Sequence, residues 1–162
     1  MFRKISSPIE GLRYASLLNN IGTVYASMRD YHKATFYYQF SLQLKKKYHA
    51  ANKLDAGVTH NNLGTVYKMQ KMHDKAQLNF QKAEMIFKQH IMQDHPFFAT
   101  LHNNLATLYI ATGAPQKARH LLQWSLSNIK KIYGTAHPVY QHVFATLATL
   151  NRQMAKVGMH TL

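Results

Sequence analysis

Three asparagine pairs recur along the chain: Asn19-Asn20, Asn61-Asn62 and Asn103-Asn104. A carboxamide both donates and accepts hydrogen bonds, so a row of them can pair with the N–H and C=O groups of an extended peptide. The other recurrent polar residues are cations. Lys33, Lys75 and Lys117 form one evenly spaced set; Lys46, Lys88 and Lys130 form a second, thickened by Lys45, Lys47 and Lys131. Columns of this kind suit nucleic acid, acidic protein or lipid headgroups. The second set has a structural explanation too, because the helix dipole favours cations near a C-terminus. The 11 histidines raise the question of a metal. No His-x3-His pair shares a helix with a nearby carboxylate, and cysteine is absent, so we expect no metal and no other cofactor. The six acids are scattered, with no carboxylate pair, glycine-rich phosphate loop or nucleophile motif. The expectation is a protein that is not an enzyme.

At 162 residues, 46% apolar and 16% charged, the chain fits one folded domain with its own core. Its 20 Lys+Arg against 6 Asp+Glu give a net charge of +14. That balance favours acidic partners or simply aids solubility, and it says nothing about fold. Without cysteine, nothing ties the chain to an oxidising compartment. Its apolar runs are too short to span a bilayer. The opening stretch MFRKISSPIEG lacks the apolar segment of a secretory signal. Pro8 and Glu10 argue against a transit peptide, although its Arg, Lys and Ser content leaves organelle import open. We expect a cytoplasmic protein.

Shifting the sequence by 42 residues against itself aligns three units without a gap. The asparagine pairs coincide, as do Gly22, Gly64 and Ala106, and Tyr25, Tyr67 and Tyr109. Ala34, Ala76 and Ala118 coincide, each after a lysine. His95-Pro96 recurs as His137-Pro138. A fixed period of this size means a stacked helical array. His60, Leu63, Gly64 and Tyr67 follow the spacing of a helical stripe, as do Ala76, Phe80, Ala83 and Phe87. Each unit is therefore two helices, with small residues allowing close approach and bulky ones filling the space between. Turn signals lie at 27–30, 71–74 and 111–115, and the segment 133–138 pairs a glycine stop with a proline start. Ser7-Pro8-Ile9-Glu10 is a capping box. The predicted helices span about 8–27, 31–48, 55–70, 74–92, 96–112, 115–133 and 138–156. The last is an unpaired first helix, in which Thr146 and Asn151 replace the second asparagine and the tyrosine. It suits a terminal cap.

Leu63-Gly64-x-x-Tyr67, then Ala76, Phe80 and Ala83, resembles the tetratricopeptide repeat. The 42-residue period, the Asn-Asn-Leu phrase and the His-Pro before the next unit are similar to the longer variety found in kinesin light chains. The resemblance covers about residues 13–157. It implies an all-α, right-handed α-solenoid of three helical hairpins, in one domain over 1–162. The units would be about 13–54, 55–96 and 97–138, with a capping helix at about 138–156. The chain departs from the pattern where the usual tryptophan is Leu18, His60 and His102, and where lysine replaces the acid before the second-helix alanine.

At about 100° per residue, the first helix of each unit presents two faces. Leu18, Ile21, Gly22 and Tyr25 form a packing stripe. Asn20 and Thr23 lie opposite, and Asn62, Thr65 and Met69, Asn104 and Thr107, and Thr149 follow in later units. The resemblance implies that first helices line a groove, so these eight residues are the expected contacts for a peptide segment or partner protein. Asn19, Asn61 and Asn103 fall nearer the seam and are expected to tie repeats together. The groove positions Ser16, Val58 and Thr100 are not basic, which argues against a clamp for a C-terminal carboxylate. The rival expectation is a polyanion surface on Lys33, Lys46, Lys75, Lys88, Lys117 and Lys130, with nucleic acid as its partner. A third is self-association through an open N-terminal edge.

Overall fold

The computed structural model describes residues 7–50 and 53–159, with side chains of the final helix described as far as Lys156. The basic residues 1–6 of the opening stretch lie outside the described residues. Seven helices follow in order: α1 (Pro8–Ser27), α2 (Tyr31–Lys47), α3 (Leu54–Met69), α4 (His73–His90), α5 (Pro96–Ala111), α6 (Pro115–Tyr133) and α7 (Pro138–Met159). The fold is all-α, with no strand among the described residues. Each helix lies within two or three residues of its expected span. The chain packs as two compact units, 1–90 and 91–162.

The helix starts follow from their caps. Ser7 is the N-cap of α1; its hydroxyl accepts from the Glu10 N–H at 3.2 Å, with Pro8 in the first turn. His95 caps α5 by accepting the Phe97 N–H on Nδ1 at 3.2 Å, and His137 accepts the Val139 N–H at the same distance. The recurrent His-Pro is therefore a start signal. The turn inside each hairpin is also repeated. Arg29, Lys71 and Gly113 occupy matching places with φ of 61°, 60° and 78°. The following N–H groups, of Asp30, Met72 and Ala114, donate back to the carbonyls of Tyr25, Tyr67 and Tyr109 at 2.9, 2.9 and 2.7 Å. That bond closes the helix end through a left-handed residue.

In the first unit, α1 packs on α2 and α3 on α4, each pair through a glycine. A Cβ on Gly22 would lie 2.8 Å from the Tyr38 ring, and one on Gly64 would lie 2.6 Å from the Phe80 ring. Both aromatics are buried, Tyr38 at 2% and Phe80 at 0% exposure. Filling such a site with an aromatic side chain contributes roughly 1.5–3 kcal/mol. In the second unit Ala106 takes the glycine's place and the smaller Leu122 takes the aromatic's; both belong to the core that α5, α6 and α7 share. The polar bonds differ as well. Asn79 Nδ2 donates to the Lys75 carbonyl at 2.8 Å, leaving its Oδ1 to accept from His60 Nδ1 at 2.9 Å. Burial, with smaller effects from Lys82 and Lys45, holds His60 below the usual histidine pKa, against the opposing pull of Asn79. His102 Nδ1 lies 3.4 Å from the buried Ser125 hydroxyl.

Two junctions join a hairpin to the helix that follows it. Ile129 of α6 and Val143 of α7 belong to one apolar cluster, with Val139 packed against it. The matching places between α2 and α3 hold Lys45, Asp55 and Thr59. The Lys45 ammonium donates to Thr59 Oγ1 at 2.6 Å and to the Asp55 carbonyl at 3.1 Å, and it pairs with Asp55 Oδ2 at 2.8 Å. Its three donors are thus satisfied. Lys45 is expected from the sequence in a surface cation column; it is instead buried, with 2% of its side chain exposed. Burial lowers its pKa, with Asp55 pulling the other way.

Candidate partner-binding face

The predicted contacts lie on the first helix of each hairpin, and within each unit they are backed by buried amides. Asn19, Asn61 and Asn103 are buried at 7%, 8% and 4% exposure. In the first unit Asn62 Nδ2 donates across from α3 to Asn19 Oδ1 on α1, and Asn19 Nδ2 donates to Asn20 Oδ1, both at 3.4 Å. These are long bonds, each worth about 0.5–1 kcal/mol at most. Only the first of them crosses between helices, tying α3 to α1. In the second unit Asn103 Nδ2 lies 3.0 Å from His142 Nε2 on α7, and its Oδ1 is buried without a hydrogen bond. Spacing alone could not show that Asn62, on the outward stripe, also reaches back into the seam.

Outside the seam, α1 carries Asn20 and Thr23, and α3 carries Asn62, Thr65 and Met69. Asn20, Thr23 and Met69 are exposed; Asn62 and Thr65 are half-buried. The threonines bond to their own helices: Thr23 Oγ1 donates to the Asn19 carbonyl and Thr65 Oγ1 to the Asn61 carbonyl, each at 3.1 Å. Thr23 also accepts the Tyr38 hydroxyl at 3.1 Å, and burial pushes that phenol's pKa up. The threonines therefore present mainly methyl groups and remaining lone pairs. In the second unit Asn104 and Thr107 are half-buried on α5, with Thr107 Oγ1 donating to the Asn104 carbonyl at 2.8 Å. Thr149 is exposed on α7 and donates to the Ala145 carbonyl at 2.9 Å. The result is a small surface of amides and methyl groups, with the Arg152 guanidinium donating to Thr149 Oγ1 at 3.4 Å on α7.

Asp55 is not among the residues expected at this face. Half exposed, it receives the Ser16 hydroxyl at 3.0 Å while pairing with Lys45. It sets an acid against Ser16, one of the three groove positions that are not basic. A signal for it is present in the sequence: Lys45 stands in the place of Phe87 and Ile129, and a cation in an apolar place implies a partner nearby.

All six lysines of the expected cation columns are exposed. Several have local partners. Lys33 lies 5.1 Å from the Tyr25 ring centroid and Lys75 lies 5.6 Å from that of Tyr67. Lys33 also pairs with Asp30 at 3.1 Å, and Lys88 with Glu84 at 2.8 Å. The Lys33 N–H and ammonium hold the Asp30 carboxyl below its ordinary pKa. In the first unit the lysine before the alanine thus packs over the tyrosine of its own hairpin, worth about 0.5–1 kcal/mol at an exposed site.

The tetratricopeptide repeat family matches residues 13–89 and again residues 99–139. The chain is a tetratricopeptide repeat protein. Such repeats mark a protein-interaction or scaffold module, and their families are generally non-enzymatic. No curated protein sequence matches the chain. Among solved structures, the fold is similar to BtubC (BKLC) from P. vanneervenii, with a TM-score of 0.81 at 16% identity. That match covers 94% of this chain and 60% of the other, so the repeat protein spans less than two thirds of the length of BtubC. It is also similar to nearly identical TPR-like repeats of a putative kinesin light chain from Podosopora anserina, with a TM-score of 0.69 at 16% identity, covering 96% of this chain and 72% of that one. A single-residue variant of the same repeats gives a TM-score of 0.69 at 17% identity, covering 91% of this chain and 72% of that one. The fold is thus of the kinesin-light-chain kind. No described helix is long and apolar enough to cross a membrane.

Proposed function

We propose that the first-helix face binds a peptide segment of a partner protein in the cytoplasm. In the first unit the contacts are Asn20, Thr23, Asn62, Thr65 and Met69; in the second they are Asn104, Thr107 and Thr149. The observation that carries this reading is the contrast within the first asparagine pair. Asn19 is buried in the seam, while its neighbour Asn20 is exposed on an uncharged stripe with Thr23. An exposed carboxamide among small side chains can reach peptide N–H and C=O groups without desolvating a charge. Met69, 52% exposed, offers an adaptable apolar contact beside them.

The test is a phage-displayed peptide library selected on the wild-type chain, followed by affinity measurement of the best peptide. Replacing Asn20 and Asn62 together by alanine is expected to weaken that peptide about tenfold, a loss of about 1.4 kcal/mol. Asn20→Ala alone should leave the melting temperature almost unchanged, because Asn20 only accepts one long bond. A double variant that binds the peptide as tightly as wild type overturns the reading.

A further inference from the structure

The outer side of α1 leaves exposed a row of positions whose counterparts in α3, α5 and α7 are buried. Leu17 and Val24 are 51% and 57% exposed. In α3 the same places are Thr59 and Val66, at 0% and 2%; in α5 they are Leu101 and Leu108, at 0% and 1%; in α7 they are Val143 and Leu150, both at 1%. Within the units the cover is seen directly: α2 lies on α3 through Lys45 and Thr59, and α6 lies on α7 through their shared apolar cluster. On α1, Ile9, Leu12, Arg13, Ser16, Leu17 and Asn20 line an open groove of about 530 Å³. Their spacings of three and four put them on one helical face, the footprint of a packed helix. With Ile9 67% exposed, much of that footprint is apolar surface facing water.

Charge selects the occupant. On α3 the covered row begins with Asp55, which meets Lys45 of the covering helix. On α1 the matching residue is Arg13, exposed and without an ion pair among the described residues. The polarity of the junction is reversed, so a helix covering α1 needs a carboxylate where α2 carries Lys45. This chain is poor in such helices. It has 6 acids against 20 Lys+Arg, and none after Asp94. A second copy offering α6 or α7 would bring only cations to Arg13, and in two α1 faces meeting the groove lining of Ile9, Leu12, Arg13, Ser16, Leu17 and Asn20 offers Arg13 no carboxylate. We propose that the outer face of α1 docks an amphipathic helix of another protein, with an Asp or Glu on Arg13 and apolar side chains on Ile9, Leu17 and Val24.

The chain supplies its own probe. A hydrocarbon-stapled peptide of residues 31–50 carrying Lys45→Glu reproduces the covering helix with reversed charge, and the same peptide with Lys45 is the control. Both are titrated to millimolar concentration into the intact ¹⁵N-labelled chain, as wild type and as Arg13→Glu. On wild type the Lys45→Glu peptide should shift α1 amides and bind about tenfold tighter than the control; on Arg13→Glu the order should reverse. Leu17→Asp should weaken both peptides. The proposal fails if neither peptide shifts α1, if the shifts fall on α3 instead, or if Arg13→Glu leaves the ratio unchanged. It also fails if the chain alone dimerises in sedimentation and Leu17→Asp makes it monomeric, since a second copy then holds the face.

Discussion

The α2–α3 and α6–α7 junctions do the same job with opposite chemistry. Both attach a first helix to the preceding hairpin, and both use matching places in the repeat. One uses Ile129 with Val139 and Val143. The other buries an ammonium, Lys45, between a threonine, a carbonyl and a carboxylate. Burying Ile129 is favourable wherever an apolar surface receives it. Burying Lys45 is favourable only where all three partners converge, because an unpaired buried cation costs several kcal/mol. The apolar junction therefore supplies stability with tolerance of small shifts, and the polar one supplies a single docking position for α3. Ser16 adds to this by reaching Asp55 from α1, so three helices meet at one carboxylate.

Reversing the charge at the polar junction should have the largest effect. Lys45→Glu places a carboxylate against Asp55 in a buried site and is expected to cost about 4–5 kcal/mol, read as loss of the first unit's melting transition. Adding Asp55→Lys should recover a large part of it; if the pair is no more stable than the single variant, attraction between these two groups does not set the junction. Next comes the packing contrast between units. Gly22→Ala drives a Cβ into Tyr38 and should cost about 1–3 kcal/mol by denaturant titration. Combining it with Tyr38→Leu imitates Ala106 with Leu122 and should recover about half of that. Converting the polar junction to the apolar pattern is a gentler change. Lys45→Ile with Asp55→Val and Thr59→Val should match wild type or exceed it by about 1–2 kcal/mol. A loss of comparable size would mean that the buried pair stabilises more than the apolar set it replaces. The smallest effect concerns the hairpin turns, where the second unit has Gly113 and the first has left-handed Arg29 and Lys71. Arg29→Gly and Lys71→Gly should each stabilise by about 0.5–1 kcal/mol, and Gly113→Ala should destabilise by a similar amount.

Much of the fold is legible because the period repeats without a gap. Three alignable units turn weak helical patterns into one strong pattern, and His-Pro and the turn signals fix the ends. The buried and outward members of each asparagine pair follow from helical angle alone: neighbours differ by about 100°, and the packing stripe identifies the inner side. Lys45 escapes such a reading for a physical reason. Three consecutive lysines at a helix end look like a solvated, dipole-favoured terminus, yet rotation turns the first of them inward while Lys46 and Lys47 stay exposed. The Asn62 to Asn19 bond escapes it because it joins residues 43 apart, on helices whose spacing only the packed hairpins define.

The sequence by itself determined the helices, their caps, the repeat and the uncharged stripe, since each depends on contacts a few residues apart. Tertiary structure decided which cations are buried, which amides are tied into the seam, and which apolar row stays open on α1. Those outcomes depend on which helix lies against which, and on whether a charge there finds partners enough to replace water.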